Sequence, residues 1–166
     1  MSTSTSSRAA SARSAALRAW LTPPVVTLSG ALFLFGALGL AGVAPWADWP
    51  VPLRWGLAGM FLLTASARLG SRRADLEAMV PRGLPRPGLL VALTGALEAL
   101  GAVGLLLPAT APAAGWCLAA LLVAMFPANV HAARSGASIR GLAVTPLGIR
   151  TTQQVIFVIC AVVSTF

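Results

Sequence analysis

Five apolar stretches of 16 to 20 residues recur along this chain of 166 residues, and they constrain its fold more than any other feature. They occupy residues 25–44, 53–69, 88–107, 113–132 and 151–166. A helix of about 20 apolar residues spans the roughly 30 Å hydrocarbon core of a bilayer. Charged residues make up 10% of the chain, where a soluble domain carries about a quarter. Mean hydropathy is correspondingly high, at +0.84. The sequence therefore predicts an all-α, polytopic membrane bundle of five transmembrane helices. Within it, residues 23–166 form the membrane domain and residues 1–22 a disordered cytoplasmic tail.

The net charge of +8 would fit nucleic acid, but its distribution does not. All twelve basic residues are arginine and lie between apolar runs, without the basic stripe and interleaved aromatics of a nucleic-acid module. Arginine without lysine, in an Ala/Gly/Pro-rich chain, points to a GC-rich bacterial coding sequence. Two rival readings concern the N-terminus. A cleaved signal peptide is disfavoured because the run 25–44 exceeds an h-region of about 7–15 residues, and Pro45 follows the best small-residue site. A mitochondrial presequence shares the Arg/Ser-rich, acid-free character of residues 1–20.

Alternate loops carry the arginines. Residues 45–52 hold Asp48 and no arginine, and residues 108–112 hold no charge. Assigning the tail and the second and fourth loops to the cytoplasm puts eleven of the twelve arginines there, leaving Arg54 outside. The positive-inside rule then predicts a plasma-membrane protein with its N-terminus in the cytoplasm and its C-terminus outside. Trp46, Trp49 and Trp55 gather at the first outer loop, and Trp20 and Trp116 sit at span ends, as an interfacial aromatic belt does. Gly30, Gly36, Gly39 and Gly42 are expected to be close-packing positions. Between the second and third spans, residues 74–80 form a short amphipathic helix, with Leu76, Met79 and Val80 on its apolar side. Pro81, Pro85 and Pro87 end it.

Glu98 is the most informative residue, because it lies near the middle of the third span. A carboxyl there faces the bundle interior and marks a functional site by default. Desolvation penalises its ionised form unless a cation reaches it. Arg54 and Arg68 fall roughly 12–13 Å away in depth if the spans are level, so a direct ion pair requires long side chains and a tilt. Three roles stand for Glu98: a structural carboxyl linked through Thr64, Thr94 or Asn129, a ligand site, and a proton relay. Pro127 withholds a donor from the carbonyl four residues earlier. Asn129 can satisfy freed backbone groups or bond a neighbouring helix. At the same depth lie Thr64, Arg68, Gln153 and Gln154, so one polar cluster is expected, either as an interhelical tie or as a pocket for a headgroup or quinone-like ligand.

His131 is the single histidine and reads as interfacial, since one histidine cannot supply paired haem ligands. Cys117 and Cys160 form no CxxC and read as apolar packing. They lie at similar depth, so a redox pair is the sharper alternative. No P-loop, nucleophile elbow or zinc-binding motif is present. The residues thus predict neither a catalytic constellation nor a metal site.

Several stretches resemble the DoxX family of small bacterial membrane proteins. They are residues 53–64, Met79-Val80-Pro81 with residues 84–87, and Leu93-Thr94-Gly95-Ala96-Leu97-Glu98. Met125-Phe126-Pro127-Ala128-Asn129-Val130 follows, then Arg150 with Gln153 or Gln154. The resemblance covers about residues 53–166 and implies a four-helix core, with 25–44 an extra N-terminal span. It also implies an accessory or small-ligand-binding subunit of a redox-linked membrane assembly, with a quinone or lipid as ligand and other redox subunits as partners. Where many relatives have His-Phe at the inner end of the first core helix, this chain has Arg68-Leu69. Arginine does not act as a base or metal ligand at neutral pH, so a histidine-dependent role would be absent and Arg68 would suit an anionic headgroup. The candidate ligand-binding residues are Glu98, Asn129, Arg68, Thr94 and Gln154. A small transporter or permease using Glu98 as its buried carboxyl is the alternative.

Overall fold

The computed structural model describes residues 19–136 and 145–166, together with the backbone of 138–139 and 142–143. The expected tail lies outside the described residues as far as residue 18. The helices that build the fold are, in order, α1 (Pro23–Leu40), α2 (Val51–Leu69), α3 (Arg73–Glu77), α4 (Pro87–Leu106), α5 (Ala111–Arg134) and α6 (Leu147–Val163). An antiparallel ladder of two residues a side, Ser138–Ile139 with Leu142–Ala143, precedes α6. Nothing in the residue pattern signals this ladder. Elsewhere the described regular structure is helical.

Proline sets most of the helix starts. It stands at the first or second position of α1, α2, α4 and α5, where its missing N–H has no helical partner to lose and its φ is already helical. Three helices, α1, α4 and α5, are long and apolar enough to cross a membrane. That is fewer than the five spans expected. The 19 residues of α2 carry Arg54 and Arg68 near their ends, and α6 is apolar but only 17 residues long.

Packing shows how a polar α2 is accommodated. It lies between α1 and α4 and makes its most extensive contacts with them. Contacts then run from α4 to α5 and from α5 to α6, and a lighter contact between α6 and α2 closes a four-helix ring with α1 outside it. Leu53, Leu57, Met60 and Phe61 of α2 fill the ring together with Ala102, Leu105, Leu118 and Leu122. Large apolar side chains face outward instead, Phe33 at 81% exposure and Leu100 at 69% among them, while Glu98, Gln153 and Ser164 are buried. Apolar surface exposed on this scale is unlike a soluble domain.

The ends differ from expectation in three places. Helix α1 stops at Leu40, not residue 44, because the chain turns back on itself. Gly42 has φ +77°, and a Cβ on Gly39 would collide with the Trp46 carbonyl oxygen. Of the four glycines expected to be close-packed, Gly39 is the one under such contact, whereas Gly30, Gly36 and Gly42 face open space. Helix α3 ends at Glu77, short of residue 80, and leaves Met79 buried. Helix α6 starts at Leu147, directly after Pro146, which brings Arg150 into its first turn.

The turn after α1 builds an aromatic cluster. Phe35 stacks on Trp46 at 5.4 Å, and Trp55 of α2 meets both rings at 5.7 and 6.0 Å. Trp49 is exposed and takes no part in these contacts. At this same end Arg54 donates from Nε to the Ser164 carbonyl at 2.9 Å. A cation on the last carbonyls of α6 complements the negative end of its dipole. That contact accounts for the single arginine the charge pattern placed on the outer side.

Candidate functional site

At the opposite end, the polar residues converge on one cavity of about 590 Å³. Its walls come from the start of α1 (Thr22, Pro23, Pro24), from Met60, Phe61, Leu63, Thr64, Ala67 and Arg68 of α2, and from Glu98 of α4. Leu122, Met125 and Asn129 of α5 complete it, with Arg150, Gln153, Gln154 and Phe157 of α6. Such a volume suits a small organic ligand.

Glu98 is 1% exposed and accepts a hydrogen bond from Arg68 Nε at 2.9 Å. The two side chains form a direct ion pair. The separation in depth expected from level spans, roughly 12–13 Å, is therefore wrong, and Gly95 gives the reason. A Cβ on Gly95 would stand 2.9 Å from Arg68 Cβ. The last turn of α2 is thus level with residue 95, eight residues after Pro87, and the start of α4 extends roughly 12 Å beyond it. The missing side chain at Gly95 lets the arginine lie along α4 and reach the carboxyl one turn further on. The Thr64 hydroxyl, also on the cavity wall, donates to the Phe61 carbonyl of its own helix at 3.0 Å.

Across the cavity, Asn129 is bonded to α6. Its Nδ2 donates to Gln154 Oε1 at 3.0 Å, and its Oδ1 accepts from Arg150 Nη1 at 2.9 Å. Gln154 in turn donates to the Leu122 carbonyl, one residue before the Val123 carbonyl that Pro127 leaves without its helical donor. Of the two roles expected for Asn129, bonding a neighbouring helix is the one its side chain fulfils. Gln153, buried, donates to the Trp20 carbonyl at 3.2 Å and ties α6 to the entry of α1.

The expected cluster of Thr64, Arg68, Asn129, Gln153 and Gln154 is thus assembled, with Glu98 included. Thr94 is not part of it. Its hydroxyl donates back to Leu90 and Val91 of its own helix at 2.9 and 3.0 Å. It faces a smaller cavity of about 170 Å³ that Arg68 and Asn129 also border. Arg150 and Arg72, absent from the sequence candidates, both line the main cavity. Pro146 was the available signal for Arg150, since proline at a helix entry extends α6 one turn back over it.

A family model described as "Domain of unknown function (DUF8561)" matches residues 57–165. Neither the curated proteins nor the solved structures contain a match. The matched stretch runs from within α2 to just past α6, so it covers the four-helix ring and leaves α1 outside. It accounts for well over half of the chain, which therefore belongs to this family.

Proposed function

We propose that this chain is a five-span membrane protein that binds a small amphipathic ligand, a quinone or a lipid, in the cavity between α2, α5 and α6. The observation carrying the proposal is the mixed polar and apolar lining of that cavity. Arg68, Glu98, Asn129, Arg150 and Gln154 stand on its wall beside Met60, Phe61, Leu63, Met125 and Phe157. The polar side chains offer directed donors and acceptors, and the apolar ones offer surface for a chain or ring.

The five-span reading is supported by the packing. Helix α2 is flanked by α1 and α4, and its two arginines bond Ser164 and Glu98 rather than facing lipid. The positive-inside distribution then puts the cavity at the cytoplasmic end of the bundle, with the N-terminus in and the C-terminus out of a bacterial plasma membrane. The resemblance to DoxX proteins supplies the further reading of an accessory subunit in a redox-linked assembly. Native mass spectrometry of the full chain, extracted in mild detergent, tests ligand binding. A quinone or lipid adduct should accompany the wild type and be lost in both Glu98→Ala and Asn129→Ala. Equal retention in the two folded variants contradicts the proposal.

A second reading, a small transporter, draws on Glu98 lining a cavity at all. It requires the Arg68–Glu98 pair to open during the cycle. Uptake into proteoliposomes that stops in Glu98→Gln would favour it over simple binding.

A further inference from the structure

Charge on the cavity wall is unbalanced. Three guanidinium groups, Arg68, Arg72 and Arg150, line it against one carboxylate, Glu98. Arg68 and Glu98 satisfy each other. Arg150 spends Nη1 on the neutral amide of Asn129, while its Nε is buried without a hydrogen-bond partner among the described residues. A buried donor left unmade carries a desolvation penalty, and a larger one when it belongs to a cation. Nε itself is out of a ligand's reach, so the natural complement is an anion in the cavity that sits against the guanidinium face of Arg150 and is attracted by Arg72.

We propose that the ligand's headgroup is negatively charged, specifically the phosphodiester of an anionic membrane lipid, whose acyl chains lie along the apolar wall. This rests on the binding function proposed above and narrows it. A neutral quinone can accept hydrogen bonds but leaves the Arg150 charge uncompensated. A phosphodiester supplies the opposite charge and can accept two parallel bonds from one guanidinium.

The test uses the full chain in a neutral detergent, with binding read by native mass spectrometry. Dioleoyl phosphatidylglycerol, dioleoyl phosphatidylcholine and ubiquinone are added separately at matched concentrations. Phosphatidylglycerol should bind at least about tenfold more tightly than phosphatidylcholine, whose phosphodiester is accompanied by a choline cation that Arg72 and Arg150 repel. Arg150→Gln and Arg72→Gln should each reduce that ratio, whereas Arg82→Gln, exposed and off the cavity wall, should leave it unchanged. The Arg72 variant keeps the test informative if Arg150→Gln fails to fold, since Arg72 stands between α2 and α3, outside the four helices of the ring.

A preference that survives both cavity variants overturns the inference, because it would then reflect surface charge alone. Tight ubiquinone binding without a phosphatidylglycerol preference also overturns it and leaves the proposed function standing. Absence of binding by all three sinks both. Displacement of phosphatidylglycerol by millimolar inorganic phosphate would show that the site takes a free anion, and the lipid assignment would fall.

Discussion

Among single residues, the Arg68–Glu98 pair decides how the interior tolerates charge. Removing one partner of a buried pair leaves the other uncompensated and costs about 3–5 kcal/mol, whereas replacing both by well-packed apolar residues of similar volume is often close to neutral. Arg68→Ala should therefore lower the unfolding midpoint in detergent markedly, and Arg68→Met/Glu98→Leu should recover much of that loss. Tryptophan fluorescence on heating measures both. A double variant as unstable as the sum of the single ones would mean that the pair does not interact. Gly95 offers a second test of the same contact. Arg68 lies on its surface of α4, and an added Cβ would meet Arg68 Cβ at 2.9 Å. Gly95→Ala should cost about 1–3 kcal/mol through overpacking, and the same melt would record it. The burial of Glu98 was legible in the sequence because a carboxyl in an apolar run is too costly to leave facing lipid. Its partner was not. The pairing depends on the stagger between α2 and α4, a relation set by interhelical packing that no linear spacing encodes.

Between elements, α5 and α6 are joined by a relay of side-chain bonds. Arg150 reaches Asn129, Asn129 reaches Gln154, and Gln154 reaches the Leu122 carbonyl. Interhelical hydrogen bonds of this kind contribute about 0.6 kcal/mol on average in a membrane bundle, with about 1.7 at the upper end. Asn129→Ala and Gln154→Ala should each destabilise by about that amount. Because they act on one relay, the double variant should cost less than the sum, and strict additivity would show two independent contacts. The depth match among Asn129, Gln153 and Gln154 could be read from the sequence, since each counts back a similar distance from a span end. The start of α6 at residue 147 was harder to read. Leu147 and Gly148 precede the apolar run proper, so the charge pattern assigned Arg150 to a loop. The ladder at 138–143 left no signal because a two-residue pairing has no periodicity to detect.

Taken whole, the molecule is a helical ring with an apolar outer surface, a polar cavity at one end and an aromatic cluster at the other. Hydropathy alone recovers α1, α4 and α5 as spans. On the proposed five-span arrangement it misses α2, whose arginines are bonded by packing partners that hydropathy does not see. It also misses α6, which is shorter than a full span and carries the Arg54 contact at its end. The arrangement makes a topology that can be measured. Single cysteines at Asp48 and Arg82, in a chain lacking Cys117 and Cys160, should label oppositely with a membrane-impermeant maleimide on intact cells. Asp48→Cys should react and Arg82→Cys should not until the membrane is opened. Labelling of both on intact cells would place the two loops on one side and remove the five-span arrangement.

Whether the cavity between α2, α5 and α6 is built to hold a ligand can be seen in an experimental structure of the full chain. The sample should be in nanodiscs formed with lipids from its native membrane. Elongated density is expected in the cavity, with its head against Arg150 and Asn129 and its tail along Phe61 and Phe157. A cavity closed by collapse of α6 onto α2, or filled only by isolated water-sized features, would contradict ligand binding there.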